Sequence, residues 1–394
     1  MNALSQNTLA KLILTAEYGS LDCYHIDHYF ADNVNLWRDC FTPPQIEALE
    51  GVRPGERVML EKDFQVAAVP YAQREIHRKQ WQPPADITPR RGRYYPQSFV
   101  RGVSNIYSQS SAPLRIEKVT ADTLAIDTSH PLAEKPLTLW AEVAEAQPKA
   151  KERGGRCSDW IHDMLAGGPG MQCRRDQHGP DFNETNGMMR IDETEDPLFY
   201  AAPRMVHHID SQARAHLTAA VADLIHPDMK VLDLMSSAHS HLPPGMKAVG
   251  LGLNEKELAA NPALSSRTVQ DLNSNPVLPY ESGSFDAVTC HLSIEYLLAP
   301  AQNFHEVSRV LQPGGIFFVS FSNRWFPPKV IRLWQQLHEW ERMAYVISLL
   351  VPEFTSLQTT SFRNWPRPED DPHADMVTQS DPLYIVSACR KGSR

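Results

Sequence analysis

The sequence has no long apolar run. Its longest candidate, AYVISLLV over Ala344–Val351, falls short of the ~18 residues that a membrane-spanning helix needs, so we expect no membrane partner. The opening residues, MNALSQNTLAKLIL, lack the charged start, sustained apolar stretch and small-residue cleavage site of a signal peptide. Six cysteines are scattered without a disulfide framework. We therefore expect a cytoplasmic protein with reduced thiols.

An excess of basic residues is also missing. The 394 residues carry a net charge of −9. This argues against a nucleic-acid partner, because phosphates require a basic face. The short basic run of Arg90, Arg91 and Arg93 is more typical of a solvated loop than of a phosphate site.

Recognised metal-ligand spacings are absent as well. Cys23, His25 and His28 lie close together in the chain, and so do His239 and His241, but neither group has a second ligand pair at a suitable distance. We therefore predict no metal site.

The chain is long enough for two or three domains. Strand-like alternation of apolar and polar residues runs from Leu49 to about Ala146, in segments such as ERVMLE, TLAIDT and LTLWAEV. We predict a mostly β, antiparallel module with an N-terminal extension over residues 1–148. Residues 149–196 are rich in glycine and polar residues and are predicted to be a linker with short ordered segments.

From residue 197 to 394, strand patterns alternate with helix patterns. Asp210 is placed to cap a helix, and Asn254 with Glu257 has the spacing of a capping box. A long amphipathic helix is predicted after Pro327 and Pro328, and two late strands follow it. The pattern predicts an α/β fold with a doubly wound, mostly parallel sheet and a late antiparallel pair at its edge. A ligand would bind at the carboxyl ends of the strands.

Four ordered segments carry a family resemblance. VLDL, AVGLGLNEKEL, VQDLNSNPVLPYESGSFDAVTC and EVSRVLQPGGIFFVSF resemble the class I S-adenosylmethionine-dependent methyltransferases of the small-molecule branch often labelled type 11. The resemblance covers Pro197 to about Cys389. It implies a seven-stranded, Rossmann-like methyltransferase sheet, S-adenosyl-L-methionine as cofactor and a small-molecule acceptor. The implied cofactor contacts are Asp233, Met235, Ser236, Ser237, Gly252, Leu253, Asn254, Asp271, Leu272 and His291.

The chain departs from the family pattern at two places. The loop after VLDL has Met235, Ser237 and His239 where the family has glycines, and serine hydroxyls are candidates to replace lost backbone donors. Gly252 stands where the family has an acid for the ribose, and Asn254 is the candidate substitute. The connection from Ser236 to Met246 is so short that its usual helix must shrink to a turn.

No catalytic residue is predicted, because methyl transfer depends on alignment more than on a specific acid or base. His291 follows a predicted strand, near where the methyl group would lie. Three roles for it stay open: a base, a donor to the substrate, or a core histidine with satisfied hydrogen bonds.

Two N-terminal segments carry a second resemblance. LEGVRPGERVMLEKDFQVAAVPYA and LAIDTSHPLAEKPLTLWAEV resemble the SlyD-like branch of FKBP-type prolyl isomerases. The implied partner is a peptide or protein, while prolyl isomerase activity is not expected, because the upstream strands and the aromatic floor of the proline pocket are not recognisable. An alternative function follows: an FKBP-like peptide-binding or chaperone protein carried on a catalytically silent methyltransferase fold.

Overall fold

The computed structural model describes residues 2–148 and 155–392, which divide into two compact units. The first is Met1–Glu184 and the second is Thr185–Arg394. The structure thus divides the predicted linker 149–196: residues 155–184 pack with the first unit and residues 185–196 with the second. Residues 149–154 of that linker lie outside the described residues.

The first unit is built mainly from antiparallel strands. One group has the order β2-β1-β8-β3 and a second sheet has the order β4-β7-β6-β5. Its strands are β1 (Thr8–Ser20), β2 (Cys23–Val34), β3 (Arg57–Phe64), β4 (Gln73–His77), β5 (Tyr94–Pro96), β6 (Pro113–Val119), β7 (Thr123–Asp127) and β8 (Leu137–Pro148), and its helices are α1 (Pro43–Leu49) and α2 (Trp160–Leu165).

The hairpin of β1 and β2 corrects the sequence prediction, which placed the strands only from Leu49 onward. Alternate residues of β1, including Leu12, Leu14 and Ala16, are fully buried in the core of the unit. Strand β1 pairs with both β2 and β8, so it lies at the centre of its group. The N-terminal segment is therefore a central part of the sheet and not an extension.

The second unit alternates strands and helices. Its strands are β9 (Val231–Leu234), β10 (Ala248–Gly252), β11 (Leu264–Val269), β12 (Phe285–His291), β13 (Leu311–Ser322), β14 (Phe354–Arg363) and β15 (Leu383–Arg390). Its helices are α3 (Asp196–Phe199), α4 (Ser211–Ala222), α5 (Glu255–Ala260), α6 (Pro300–Val310), α7 (Arg332–Gln336) and α8 (Glu339–Leu350).

The strands of this unit form a mixed arrangement in the order β11-β10-β9-β12-β13-β15-β14. Strands β9 to β13 are parallel to one another, whereas β15 is antiparallel to both β13 and β14. The chain moves outward from β9 to β10 and β11, then returns to place β12 on the other side of β9. Ligands of open α/β sheets bind at the carboxyl ends of the strands at such a reversal.

Local predictions in this unit have mixed outcomes. Asp210 caps α4, since its Oδ1 accepts from the Ala213 amide at 2.9 Å. The connection between β9 and β10 contains no helix, as its length predicts. The predicted long helix after Pro328 is wrong: the chain forms α7 and α8, interrupted at Leu337 and His338. The His338 side chain accepts from the Trp340 amide and starts the second helix.

Within residues 2–148 and 155–392, no helix combines the length and the apolar character needed to cross a membrane.

Candidate functional site

A cavity of about 140 Å³ lies at the carboxyl ends of β9, β10 and β12 in the second unit. The structure brings all ten residues implied as cofactor contacts to its wall; that they contact a cofactor stays a prediction. These residues are Asp233, Met235, Ser236, Ser237, Gly252, Leu253, Asn254, Asp271, Leu272 and His291.

Asp233, the third residue of β9, organises the loop that follows it. The carboxylate is buried, and its Oδ2 accepts hydrogen bonds from the hydroxyls of Ser236 and Ser240, both at 2.6 Å. Its Oδ1 accepts from Thr289 Oγ1 at 3.2 Å on the neighbouring strand. Burial raises the pKa of Asp233, while the three hydroxyl donors oppose that rise. The acid therefore serves first to fix the shape of the loop.

This arrangement corrects the role expected of Ser236. Its hydroxyl proton is used inside the loop, on Asp233, and is not available to a ligand carboxylate. Ser240 belongs to the same network: its Oγ accepts from Asn261 Nδ2 at 2.9 Å, and that amide also donates to the Ser237 carbonyl at 2.8 Å. The loop is thus held by side chains at several points, which replaces some of the rigidity that a tight glycine turn provides.

Two cavity residues adopt the left-handed backbone conformation without being glycine. Met235 has φ +57° directly after β9, and Leu292 has φ +52° directly after β12. This conformation costs a non-glycine residue about 1–3 kcal/mol of conformational free energy, and residues that adopt it cluster at functional sites. The backbone at position 235 therefore has a shape that glycine would adopt freely, although the residue is methionine.

Gly252 ends β10 and allows the β9 loop to pass directly over it. The Ser236 amide donates to the Leu251 carbonyl at 2.8 Å, and a Cβ built on Gly252 would lie only 2.1 Å from the Ser236 carbonyl oxygen. A side chain cannot be accommodated at this position, which explains why it does not carry an acid.

Asn254 is not the free amide that the sequence suggested. Its Oδ1 caps α5 by accepting from the amides of Lys256 and Glu257, and its Nδ2 donates to the carbonyls of Tyr200 and Ala201. The predicted capping box is only half formed, because the Glu257 carboxylate accepts from the Arg204 amide at 2.6 Å. Glu257 also lines the cavity, and among the acids of the cavity wall it is the closest to Gly252 in the sequence.

Asp271 follows β11 and closes a turn. Its two carboxylate oxygens accept from the Asn273 amide at 2.9 Å and from Ser274 Oγ at 2.5 Å. Asn273 in turn donates to Asp196 Oδ2 at 2.7 Å and to the Tyr296 carbonyl at 2.9 Å. Leu272 is buried between these polar residues and gives this end of the cavity an apolar surface.

Five histidines line the cavity: His207, His208, His239, His241 and His291. The rings of His207 and His239 stack at 4.0 Å, and those of His241 and His291 meet edge to face at 5.5 Å. Burial lowers the pKa of His241 to about 3 and that of His207 to about 4, and it places the pKa of His291 well below its usual range. These three rings are therefore neutral at pH 7.

His291 has one ring nitrogen engaged and one unsatisfied. Its Nδ1 lies 2.8 Å from Ser320 Oγ on β13, whereas its Nε2 is buried and has no hydrogen-bond partner among the described residues. The bond to Ser320 fixes the orientation of the ring. An unsatisfied buried nitrogen is costly, so Nε2 is the atom that a bound molecule would satisfy.

An aromatic cluster completes the wall. Arg204 lies over the rings of Phe199, Tyr200 and Phe326, with its Cζ atom 5.0 to 5.2 Å from the three ring centres. The hydroxyl of Tyr296 accepts from the Phe326 amide at 2.8 Å, which links the short turn after β12 to the segment after β13. Arg204 Nη1 and the Tyr200 hydroxyl are buried without a partner among the described residues.

Sequence reasoning missed the segment from Asp196 to His208 as part of the site. Six of its residues line the cavity: Asp196, Tyr200, Arg204, Val206, His207 and His208. The buried Lys329 ammonium anchors the start of this segment, with the Thr194 carbonyl at 2.5 Å and Asp196 Oδ1 at 3.3 Å. Apart from α3 the segment has no regular structure, so it gives no periodic signal that could have placed it over the sheet.

In the described part of the chain, no group of three or more His, Cys, Asp or Glu side chains is placed to hold a metal ion. His239 and His241 both belong to the cavity wall.

Comparison with known proteins gives one family match. Residues 236–319 match the family model described as Methyltransferase domain. None of the curated proteins matches this chain.

Several solved structures are similar to part of the chain. An S-adenosylmethionine-dependent methyltransferase of Thermotoga maritima, described as a possible histamine N-methyltransferase, is 14% identical, with 45% of this chain and 89% of that chain covered and a TM-score of 0.35. The YcgJ protein of Bacillus subtilis is 13% identical, with 48% and 100% covered and a TM-score of 0.33. An S-adenosylmethionine-dependent methyltransferase of Mesorhizobium loti is 17% identical, with 45% and 96% covered and a TM-score of 0.31.

Likenesses at these identities and TM-scores carry no argument about function, so the assignment depends on the family match. Residues 236–319 are thus similar to a methyltransferase domain, and the cofactor that this similarity supports is S-adenosylmethionine.

Proposed function

We propose that this protein transfers a methyl group from S-adenosylmethionine to a small-molecule acceptor, and that its second unit is a class I, Rossmann-like methyltransferase domain. One observation carries the proposal. The ten residues implied by the sequence come from four separate strand ends, and they line one cavity at the reversal of strand order. The family match over residues 236–319 covers eight of these residues and supports the same assignment.

The chemistry of the cavity wall fits the cofactor. S-adenosylmethionine presents an adenine, a ribose diol, a carboxylate, an ammonium group and a sulfonium. The wall supplies acids in Asp271 and Glu257, and unsatisfied buried polar atoms in Arg204, Tyr200 and His291. A ligand that satisfies such atoms removes their cost in the free protein. Neutral imidazoles are also compatible with a neighbouring positive sulfonium, because they do not repel it.

We assign the adenosine end to the residues after β10 and β11. Asp271 keeps unused acceptor capacity on its carboxylate, since each oxygen accepts one bond in the structure and has two lone pairs. Leu272 offers an apolar surface for the base. Glu257 takes the role of the missing ribose acid, because Asn254 is fully engaged and Gly252 cannot carry a side chain.

We assign the acceptor to the histidine-lined end of the cavity. The cofactor, when bound, supplies an electrophilic methyl group on sulfur, and the protein must align the acceptor with it. His291 Nε2 is the fixed polar atom at the end of β12, and it would hold the acceptor by a hydrogen bond or receive its proton. The Ser320 contact holds the ring in place for either role.

The polar lining weighs against a catalytically silent fold. A vacated cofactor pocket is expected to fill with apolar side chains, because buried unsatisfied polar atoms cost free energy. Here the pocket retains Arg204 Nη1, Tyr200 Oη and His291 Nε2 without partners among the described residues.

For the first unit we propose peptide or protein binding, which is supported by the sequence resemblance over residues 45–146.

Calorimetric titration of the full chain with S-adenosylmethionine and S-adenosylhomocysteine tests the proposal. We expect saturable binding with one site per chain and a dissociation constant in the micromolar range. The absence of binding of either compound at millimolar concentration would contradict it. A folded protein that binds the cofactor can then be screened against acceptors by the formation of S-adenosylhomocysteine.

A further inference from the structure

Cys40 and Cys157 form a pair of exposed thiols in the first unit that the proposed methyltransferase function does not use. They are 117 positions apart in the chain, yet their sulfur atoms are 3.3 Å apart. Both side chains are exposed, so a soluble reagent can reach them. The other cysteines of the unit, Cys23 and Cys173, are buried.

The backbone around the two thiols is held together independently of sulfur. The Cys40 amide donates to the Ser158 carbonyl at 2.9 Å, and the indole of Trp160 donates to Asp39 Oδ2 at 2.7 Å. The Cys157 thiol donates to the Arg38 carbonyl at 3.0 Å. The two chain segments are therefore already in register before any bond between the sulfurs forms.

We propose that Cys40 and Cys157 are a thiol pair that closes to a reversible intramolecular disulfide by exchange with a low-molecular-weight disulfide. A disulfide bond is about 2.05 Å long, so the sulfurs must approach by only about 1.2 Å, a movement within reach of side-chain rotation. The residues that follow Cys157 lead into α2, whose Ile161, Met164 and Leu165 belong to the core of the unit. The bond would therefore fix the start of this helix to the loop after β2.

The exchange is balanced by the incoming disulfide. One cysteine, as a thiolate, attacks a sulfur of that disulfide and releases one thiol. The second cysteine attacks the mixed disulfide and releases the other thiol. The protein loses two electrons and two protons, and the low-molecular-weight disulfide gains them. The pKa of Cys40 is raised, chiefly by its hydrogen bond with Cys157, so the reaction is best run at pH 8 to 8.5.

The test uses the full chain and oxidised glutathione as the probe. After incubation and alkylation of free thiols, peptide mapping without reduction should show one linked pair containing Cys40 and Cys157, and reduction with dithiothreitol should release it. Cys40→Ser and Cys157→Ser should each abolish the link. Cys389→Ser, which changes the partly exposed cysteine of the second unit, should keep it.

A second measurement separates a conformational effect from mere proximity. Hydrogen exchange of the amides in residues 158–165 should slow by about tenfold in the oxidised wild-type chain, because local opening of α2 then has to occur against the link. The double variant Cys40→Ser/Cys157→Ser under the same oxidant should show no change. The proposal is overturned if oxidation yields only glutathione adducts, links to another cysteine or disulfide-linked dimers, or if exchange stays unchanged in a chain shown to carry the link.

Discussion

The Ser236 carbonyl oxygen lies directly over the α-carbon of Gly252, where a Cβ atom would approach it to 2.1 Å. The contact joins the loop after β9 to the end of β10, and it sets the shape of the cavity between them. The obstacle is backbone, which cannot rotate away as a flexible side chain could. A methyl group at position 252 must therefore displace the loop.

We expect Gly252→Ala to lower the free energy of unfolding by at least the 1–3 kcal/mol that is typical of overpacking. It should also abolish cofactor binding, since the displaced loop carries Met235 and Ser237. Thermal unfolding and calorimetric titration measure the two effects. Gly392→Ala is the matched control, because nothing lies within 4 Å of its added Cβ and it should leave both properties unchanged. Normal cofactor binding by Gly252→Ala would show that the contact does not shape the site.

Comparing two substitutions of Met235 tests the backbone strain at this position, because both remove the side chain and the effect of that loss cancels. Gly and Ala both remove the thioether, but only Gly relieves the left-handed conformation at φ +57°. Glycine is usually less stabilising than alanine by about 0.5–1 kcal/mol in regular structure. At position 235 we expect the reverse, with Met235→Gly more stable than Met235→Ala by about 1 kcal/mol. Denaturant unfolding of the two variants decides the order, and a more stable alanine variant would mean that the loop relaxes without strain.

Part of this site follows from sequence and part does not. Asp233, Gly252 and Asp271 follow predicted strands in a fixed order, and parallel strands bring their carboxyl ends to one edge of the sheet. Arg204 and His207 lie on a chain segment without periodicity, and they reach the cavity only through tertiary contacts such as that between the Arg204 amide and Glu257. No pattern in the sequence encodes such a contact.

The errors elsewhere have similar physical causes. Strand β1 carries apolar residues in long succession, so its alternation is visible only once the buried positions Leu12 and Leu14 are known. The predicted long helix breaks at Leu337 because the following His338 acts as a cap, with its Nδ1 accepting from the Trp340 amide. Histidine is an unusual capping residue, and sequence patterns favour Ser, Thr, Asp and Asn.

The assignment of Glu257 and Asp271 to the adenosine end predicts that changing either acid weakens cofactor binding. Glu257→Gln and Asp271→Ala should each weaken the binding of S-adenosylhomocysteine at least tenfold, or about 1.4 kcal/mol, because each removes a charged hydrogen-bond acceptor. Glu281→Gln is the matched control, since Glu281 is exposed and lies outside the cavity wall. Titration calorimetry gives the affinities and circular dichroism verifies the folds. If Glu257→Gln binds as tightly as the wild type, Glu257 is not the substitute for the missing ribose acid.

The neutral histidines predict a loss of stability in mild acid. The pKa of His241 is lowered by burial to about 3, and that of an unfolded histidine is near 6.5. Below pH 6.5 the unfolded chain gains a proton at this position that the folded chain refuses, so the free energy of unfolding decreases as the pH falls from 6.5 toward 3. The slope contributed by one such histidine is at most about 1.4 kcal/mol per pH unit, which gives about 2 kcal/mol between pH 6.5 and 5.

His241→Gln should therefore flatten the pH dependence of stability, although it lowers stability at pH 7 by removing the packed ring. Urea unfolding midpoints at pH 7, 6 and 5 measure the difference between the two chains, and carboxylates that titrate in the same range cancel in that comparison. His226→Gln serves as the control, because His226 is exposed and lies outside the cavity wall. Equal slopes for His241→Gln and the wild type would show that the imidazole of His241 takes up its proton in the folded protein at ordinary pH, and the neutral lining proposed for the acceptor end would then be wrong.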